Sequence, residues 1–157
     1  MMLKNFKIFL IMISLLVLNN CGYQPVLINY KEISFKKIEL SGDRQSVFEL
    51  EKKINVKTDT SSPAGLTLKG QIFESSDISL TDNRGLATEE NYILNFTFQI
   101  FDQNQNLILS DMVSKSRRIK ISDNNISNIQ IRNNEKKSLI ESIAQDVNTK
   151  LRINLKN

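Results

Sequence analysis

The chain lacks histidine and tryptophan, and its 157 residues include only one cysteine, two prolines and five glycines. Without histidine, the Ser-His-Asp and Cys-His arrangements of nucleophilic catalysis are excluded. A zinc site would depend on carboxylates alone, which is unusual for that metal. A single cysteine cannot form a disulfide within the chain, and no glycine-rich phosphate-binding loop is present. These absences predict a binding or scaffold protein without cofactor or metal, not an enzyme.

Apolar runs long enough to cross a bilayer are also absent. The run Ile8–Leu18 has eleven residues and is broken only by Ser14. Lys4 and Lys7 precede it, and a short basic stretch before an apolar core of this length is typical of an export signal. Cys21 follows the run closely, which resembles the bacterial lipoprotein signal, where the cysteine is lipidated and becomes the mature N-terminus.

Cys21 is therefore predicted to carry acyl chains such as palmitate, which would anchor the protein to a membrane. Asn20 stands where such signals usually have Gly, Ala or Ser. The following residue is Gly22, not Asp, which by the same resemblance directs a lipoprotein to the outer membrane. A buried thiol is the alternative interpretation of a lone cysteine. The predicted segments are a signal peptide (1–20), a lipidated tether (21–31) and a single α+β domain (32–157).

The charge balance changes when the predicted signal peptide is removed. The whole chain has 21 basic and 17 acidic residues, and residues 1–20 hold two of the basic ones and none of the acidic ones. The remaining chain is therefore almost neutral, with a net charge of +2. This balance gives no electrostatic reason to expect a nucleic-acid partner.

The first part of the domain has the patterns of a strand and a short helix. Apolar residues in Ile33–Leu40 alternate with polar ones, with one change of phase near Lys36, which predicts a strand with a bulge. Ser41–Asp43 offers a turn and an N-cap. The helix is predicted from apolar residues at helical spacing: Val47, Leu50 and Ile54.

The middle of the domain has the patterns of long strands. Apolar residues keep one parity over 66–80, which predicts one long strand or two in register, and they alternate strictly over 92–100. Alternation resumes after the polar turn 102–106, and two such runs around a short turn predict a β-hairpin. Lys115 and Arg117 interrupt the apolar face of the second run. They are expected where that strand passes the edge of the core.

The last part of the chain predicts a loop followed by a helix. The Asn-rich stretch 122–133 is interpreted as a loop or short irregular strand, with Asn133 or Asn134 as the N-cap and Glu135 in the first helical turn. The element order predicts an α+β fold, in which a mostly antiparallel sheet of about four strands has two α-helices packed on one face. The helix is predicted from its apolar stripe: Ile140, Ile143, Ala144, Val147 and Leu151.

Several short motifs follow one another along the chain: Cys21-Gly22-Tyr23-Gln24-Pro25, Asp82-Asn83-Arg84, Glu90-Asn91-Tyr92-Ile93-Leu94, Phe101-Asp102 and Ser116-Arg117-Arg118-Ile119. In their order, spacing and lipoprotein context, they resemble the LptE family of lipopolysaccharide-assembly lipoproteins, in its alphaproteobacterial form. The resemblance covers most of the chain. Ile119 stands where the family often has an aromatic residue.

The resemblance implies a non-enzymatic role at the outer membrane. Proteins of the LptE family sit inside the β-barrel LptD as a plug, assist assembly of that barrel, and bind lipopolysaccharide on its way to the outer leaflet. The protein would be lipid-anchored, facing the periplasm and the barrel lumen. Arginine donates planar, bidentate hydrogen bonds to phosphate groups. The residues predicted to contact lipopolysaccharide are Arg117 and Arg118, followed by Arg84 and Lys115.

Other interpretations of the same residues remain open. The basic residues could be solvated charges that protect a strand edge. The protein could be a different outer-membrane accessory lipoprotein, serving barrel assembly or envelope anchoring without binding lipopolysaccharide. It could also be a small-ligand module that uses one sheet face as a groove, or a hydrolase that uses paired carboxylates such as Glu89 and Glu90.

Overall fold

The computed structural model describes residues 33–61 and 65–155. The predicted signal peptide, Cys21 and the tether lie outside the described residues. The strands are β1 (Ile33–Phe35), β2 (Lys37–Gly42), β3 (Val56–Thr58), β4 (Thr67–Thr81), β5 (Ala87–Phe101) and β6 (Leu107–Lys120). The helices are α1 (Arg44–Lys53) and α2 (Asn125–Leu155).

Four strands form the main sheet, in the order β2-β4-β5-β6. β2 pairs with β4 in parallel, and the pairs β4–β5 and β5–β6 are antiparallel. β1 and β3 form a separate two-stranded parallel sheet. Both helices belong to the same layer, since α1 contacts α2, and α2 contacts β5 and β6. The predicted fold class, an α+β fold with a mostly antiparallel four-stranded sheet and two helices, is confirmed.

The core is built on one face of this sheet. From Glu89 to Phe101, buried side chains of β5 alternate with more exposed ones, because every second residue of a strand points to the same face. Phe96 and Phe98 are buried on that face, with their rings stacked at a centroid distance of 5.7 Å. α2 covers the same core with its own buried apolar stripe: Leu139, Ile140, Ile143, Ala144, Val147 and Leu151.

The predicted strand 33–40 is two strands in two different sheets. β1 ends before Lys36 and β2 begins after it. The backbone N–H of Lys36 donates to the carbonyl of Leu66 (2.7 Å). The change of phase in the sequence therefore marks a transfer from one sheet to the other, not a bulge within one strand. Before the break, Phe35 is fully buried, and after it Ile38 pairs with Leu68 of the main sheet.

The junction between β2 and α1 is fixed by two residues. Gly42 has a φ of +134°, and a Cβ there would lie 2.2 Å from the carbonyl oxygen of Ile72, so only glycine is compatible with this site. Asp43 is the N-cap of α1, since its side chain accepts hydrogen bonds from the backbone N–H (3.0 Å) and the hydroxyl (2.9 Å) of Ser46. The predicted N-cap is confirmed, whereas Ser41 and Gly42, predicted as part of a turn, are the last two residues of β2.

The final helix is much longer than the sequence pattern predicted, and the loop predicted over 122–133 was wrong. α2 begins at Asn125 and has 31 residues. Its cap is neither Asn133 nor Asn134, because the Asn124 side chain accepts from the backbone N–H of Ile126 (3.0 Å) and Ser127 (3.2 Å). The side chain of Asn128 also bonds Ser122 and holds this start against the end of β6.

The longer helix changes the surroundings of two cations in β6. Lys115 and Arg117 were expected where the strand passes the core edge, but both lie on the face that α2 covers. Lys115 pairs with Asp146 (2.6 Å), and Arg117 pairs with Glu135 (3.2 Å). They interrupt the apolar pattern because they bond the helix above them.

Candidate functional site

The two faces of the main sheet have different characters. One face is covered by the helices, and among the described residues the other is not covered. The uncovered face carries a trough of about 790 Å³ across all four strands, lined mainly by polar side chains. Cross-strand register places these side chains in two rows: Glu39, Lys69 and Gln99, then Ser41, Gln71 and Thr97. We call this surface the open face.

Arg117 and Arg118 are not brought together. They are neighbours in a strand, so their side chains point to opposite faces. Arg117 lies on the helix-covered side with Glu135, whereas Arg118 lies on the open face, where its Nε is 3.8 Å from a carboxylate oxygen of Glu89. The Arg118 side chain is 72% exposed, so this ion pair contributes little to stability and its guanidinium is accessible to a ligand.

Arg84 lies in the turn that joins β4 to β5. Its guanidinium contacts the carboxylate of Asp82 at 2.9 Å. The same carboxylate accepts the backbone N–H groups of Leu86 and Arg84, each at 2.9 Å. These hydrogen bonds, from Leu86 first and then from the Arg84 side chain, lower the pKa of Asp82. The Arg84 side chain is 72% exposed, on a turn whose backbone is held by the hydrogen bonds to Asp82.

The β4–β5 turn, the end of β6 and the start of α2 meet at one end of the sheet, which we call the sheet tip. Glu89 is paired in register with Lys120, and the backbone N–H of Ile121 donates to the carbonyl of Thr88 (2.8 Å). Arg84, Arg118 and Lys120 are therefore at the same end. Large aliphatic side chains are exposed there as well: Ile78, Leu80, Leu86, Ile126 and Ile129.

A group of polar side chains lies between the sheet and α2. Lys136 bonds Glu74 of β4 at 3.0 Å and is 3.9 Å from Asp43. The hydroxyl of Tyr92 donates to the same Glu74 carboxylate. Burial raises the pKa of Glu74, but the hydrogen bonds from Tyr92 and Lys136 outweigh it, so its pKa is lowered. Burial, followed by the Glu74 carboxylate, raises the pKa of Tyr92.

A second ion pair joins α2 to the sheet closer to the tip. Glu90 is only 7% exposed, and Arg132 binds it through Nε (3.0 Å) and Nη2 (2.6 and 2.8 Å). Burial of a carboxylate is costly unless charge-assisted hydrogen bonds of this kind satisfy its oxygens. Glu90 therefore positions α2, and it does not form a carboxylate pair with Glu89, which lies on the other face with Arg118.

Two features of the sheet tip were missed at the sequence level. The exposed Ile126 and Ile129 were assigned to a loop, although their spacing of three residues continues the helical pattern of α2. Lys120 was not singled out, although it has the same parity as Arg118 in β6. Strand parity alone would also have separated Arg117 from Arg118, since adjacent strand residues never share a face.

The described residues contain no group of three or more side chains of the usual metal-binding types arranged to hold an ion. None of the helices in this part of the chain is sufficiently long and apolar to cross a membrane. All four cations singled out from the sequence take part in ion pairs.

No protein-family model and no curated protein matches the sequence. Several solved structures share the fold. Rare lipoprotein B from Shewanella oneidensis has a TM-score of 0.60 at 11% identity, covering 77% of this chain and 99% of that one. A minor lipoprotein from Acinetobacter baumannii has a TM-score of 0.57 at 18% identity, covering 80% and 94%. An uncharacterized lipoprotein B from Nitrosomonas europaea has a TM-score of 0.57 at 12% identity, covering 79% and 87%. The chain therefore has the fold of these bacterial lipoproteins.

Proposed function

We propose that this protein is an outer-membrane lipoprotein, acylated at Cys21, that occupies the lumen of the LptD β-barrel and binds lipopolysaccharide. It would assist assembly of the barrel and act through shape and charge, without catalysis. Two independent lines support an envelope lipoprotein. The sequence has a lipoprotein-type signal ending at Cys21, and the domain has a fold shared with several bacterial lipoproteins.

The sheet tip is the observation that carries the lipopolysaccharide part of the proposal. Lipopolysaccharide combines phosphate groups with acyl chains, and the tip combines exposed cations with exposed aliphatic side chains. Arg84 and Arg118 hold their acidic partners only in exposed ion pairs. Such pairs are worth about 0–1 kcal/mol, so exchange of a carboxylate for a phosphate costs little. Arg117 and Lys115, which bond α2, are the less accessible pair.

The open face supports the barrel part of the proposal. Its rows of Gln, Thr, Ser and paired Lys and Glu side chains match the polar interior of an outer-membrane barrel. A rigid α+β domain, anchored by lipid near the barrel, would place this surface against the lumen wall.

The lipid anchor can be tested by mass spectrometry of the native protein. We expect a mature N-terminus at Cys21 with three acyl chains, and we expect Cys21→Ser to retain its signal peptide. An unmodified thiol on an intact leader would contradict the anchor.

The barrel partner can be tested by purification in mild detergent. We expect the protein to co-purify with LptD in a one-to-one complex. If the lipidated protein is recovered without a barrel under conditions that preserve other barrel complexes, the plug role is wrong.

Lipopolysaccharide binding can be tested with charge reversals. Arg84→Glu combined with Arg118→Glu is expected to weaken binding by at least about tenfold, since two charge-assisted contacts are lost. The matched control is Arg44→Glu, at the exposed start of α1 and off the sheet tip. If the double variant folds and binds normally while the barrel still co-purifies, the protein is an accessory lipoprotein that does not bind lipopolysaccharide through this surface.

A further inference from the structure

One long edge of the main sheet has no partner strand among residues 33–61 and 65–155. β2 pairs with β4 only over Thr67–Ile72, because the chain leaves the sheet at Gly42 and enters α1. β4 continues for nine more residues, Phe73–Thr81, and all nine are exposed. Their inner side is fully paired with β5 as far as Ile78, where the register shifts. The segment Phe73–Ile78, which we call the β4 edge, therefore presents the backbone donors and acceptors that point away from β5.

Proteins usually protect such an edge with charged side chains, lysine above all, with proline or with a β-bulge. The β4 edge has no lysine, arginine or proline, and its register shifts only after Ile78. At the same end of the sheet, β6 carries four cations in its last six residues: Lys115, Arg117, Arg118 and Lys120. At this end the β4 edge therefore lacks the cations that β6 has, and its backbone is open to another strand.

The β4 edge is acidic. Glu74 is already bound by Tyr92 and Lys136 on the helix-covered side. Asp77 points to the open face, and none of the described cations lies within 4.0 Å of its carboxylate. Phe73 shares that face, four residues away, and is 44% exposed. A strand added here would place one of its side chains opposite Asp77 and another opposite Phe73.

We propose that the β4 edge binds an extended, basic segment of another polypeptide by β-strand addition. The segment lies beside β4 in the position that β2 occupies up to Gly42, and it forms main-chain hydrogen bonds to Phe73–Ile78. A lysine or arginine faces Asp77, and an apolar residue four positions away faces Phe73. The main chain provides the binding, and these two side-chain positions provide the specificity. This inference does not depend on lipopolysaccharide binding or on the identity of the barrel.

A second copy of this edge supplies no cation to Asp77, because Phe73–Ile78 contains no basic residue. Antiparallel pairing about residue 77 would place two Asp77 carboxylates directly opposite each other, which is destabilising, and pairing about residue 75 would place each Asp77 opposite the phenyl ring at position 73. A segment with a basic residue removes this conflict and uses the acidic side chain instead.

The proposal can be tested with the full chain and a defined peptide. The probe is a fluorescent nine-residue peptide that alternates valine and threonine, with lysine replacing the central valine. Two further versions carry N-methyl groups on either the odd or the even residues, so that each blocks one backbone edge. We expect one methylated version to bind at least about tenfold more weakly by fluorescence anisotropy, while the other binds normally. Equal binding of both methylated peptides would overturn strand addition.

The side-chain register has its own test. The Asp77→Lys variant should bind the lysine peptide more weakly than the wild type does. It should bind the corresponding glutamate peptide more tightly, because that peptide restores the opposite-charge pair. Asp123→Lys, a matched change at an exposed acid between β6 and α2, should leave both affinities unchanged. If Asp77→Lys has no effect on either peptide, the proposed register is wrong.

Two further readouts separate this site from other surfaces. On peptide binding, those amides of Phe73–Ile78 that point away from β5 should gain protection from hydrogen exchange, whereas protection confined to β6 or to the open-face rows would overturn the assignment. Sedimentation tests the alternative occupant. If the protein dimerises and Asp77→Asn strengthens the dimer, the edge is used by a second copy and not by a basic segment.

Discussion

At the residue scale, two glycines with positive φ angles differ in why glycine is needed. Gly85 is favoured by its backbone conformation alone, whereas Gly42 also lacks space for a Cβ. Gly42 (φ +134°) faces the Ile72 carbonyl at 2.2 Å from a hypothetical Cβ, whereas nothing lies within 4 Å of a Cβ at Gly85 (φ +80°). We expect Gly85→Ala to lower the free energy of unfolding by about 1 kcal/mol, since only the left-handed backbone is disfavoured. Gly42→Ala should cost about 1–3 kcal/mol more, because β2 must move away from β4.

Urea unfolding of the two variants measures this difference. Equal losses would mean that the β2–β4 pair can shift without cost, and that the close approach at Gly42 does not constrain the sheet.

Tyr92 predicts how stability changes in alkali. Its pKa is raised above the ordinary value of 10.0, by burial first and then by Glu74, so the folded protein holds a proton that the unfolded chain releases. This contribution is fully present below pH 10 and is lost as the pH rises through the folded-state pKa. The charged groups that face the hydroxyl are Glu74, Arg132 and Asp43, with Lys136 on the same Glu74 carboxylate.

The measurement is the melting temperature between pH 8 and pH 11 for the wild type and Tyr92→Phe. We expect the wild type to lose stability above pH 10 more steeply than the variant. Parallel curves would show that the pKa of Tyr92 is not higher in the folded protein than in the unfolded chain.

The cation positions show what the sequence could and could not predict at this scale. The four cations singled out from the sequence lie in β6 and in the β4–β5 turn, where each forms an ion pair. At the sequence level, Arg117 and Arg118 were treated as neighbours in space, although they lie on opposite faces of the sheet. Whether they contact lipopolysaccharide stays a prediction. Only a parity argument in β6 together with the true start of α2 separates the helix-facing cations from those on the open face.

At the element scale, α2 has two halves held by different forces. Its buried apolar side chains begin at Leu139, whereas the half from Asn125 to Lys137 is held to the sheet mainly by ion pairs of Arg132, Glu135 and Lys136. Such ion pairs, whether exposed or partly buried, contribute less net free energy than buried apolar contacts, because screening by solvent or the cost of desolvating the charges offsets their attraction. The first half should therefore open locally before the second.

Arg132→Gln tests this division. It leaves the buried Glu90 carboxylate without its main partner, so we expect a loss of about 1–2 kcal/mol and faster amide hydrogen exchange over 125–137. Exchange over 139–151 should change less.

The matched control is Arg118→Gln, which removes an exposed cation from Glu89 and should cost less than about 0.5 kcal/mol. If both variants lose the same stability, the Glu90–Arg132 pair does not position the helix.

The elements differ in how well their patterns predicted them. β5 was predictable because strict alternation over nine residues has only one structural meaning. The start of α2 was not, because asparagine and isoleucine have modest helix propensity and the Ile126 and Ile129 side chains are exposed, so no buried stripe marks that half. The Asn124 cap, nine residues before Asn133 and ten before Asn134, is visible only once the hydrogen bonds are known.

At the scale of the whole molecule, the described core belongs entirely to one unit. Residues Glu32–Asn157 form a compact unit, and all the described buried apolar side chains lie between Phe35 and Leu151. We expect a fragment of residues 32–157 to unfold in one cooperative thermal transition at a temperature that is independent of concentration.

The lipidated full-length protein in detergent is the reference for that fragment. A fragment that is aggregated or lacks a cooperative transition would mean that residues 1–31 contribute to the core. The domain predicted from the sequence, residues 32–157, is tested by the same experiment, because it requires that this fragment unfold cooperatively.

The position of α2 after all six strands affects how the chain acquires its structure. Six of the eighteen buried apolar side chains in the described part of the chain belong to this helix. A polypeptide that emerges vectorially, from a ribosome or a translocation pore, cannot close this hydrophobic core until α2 has followed the six strands out. Until then the β-meander would expose Phe96 and Phe98, and a chaperone that shields them would keep the nascent chain soluble.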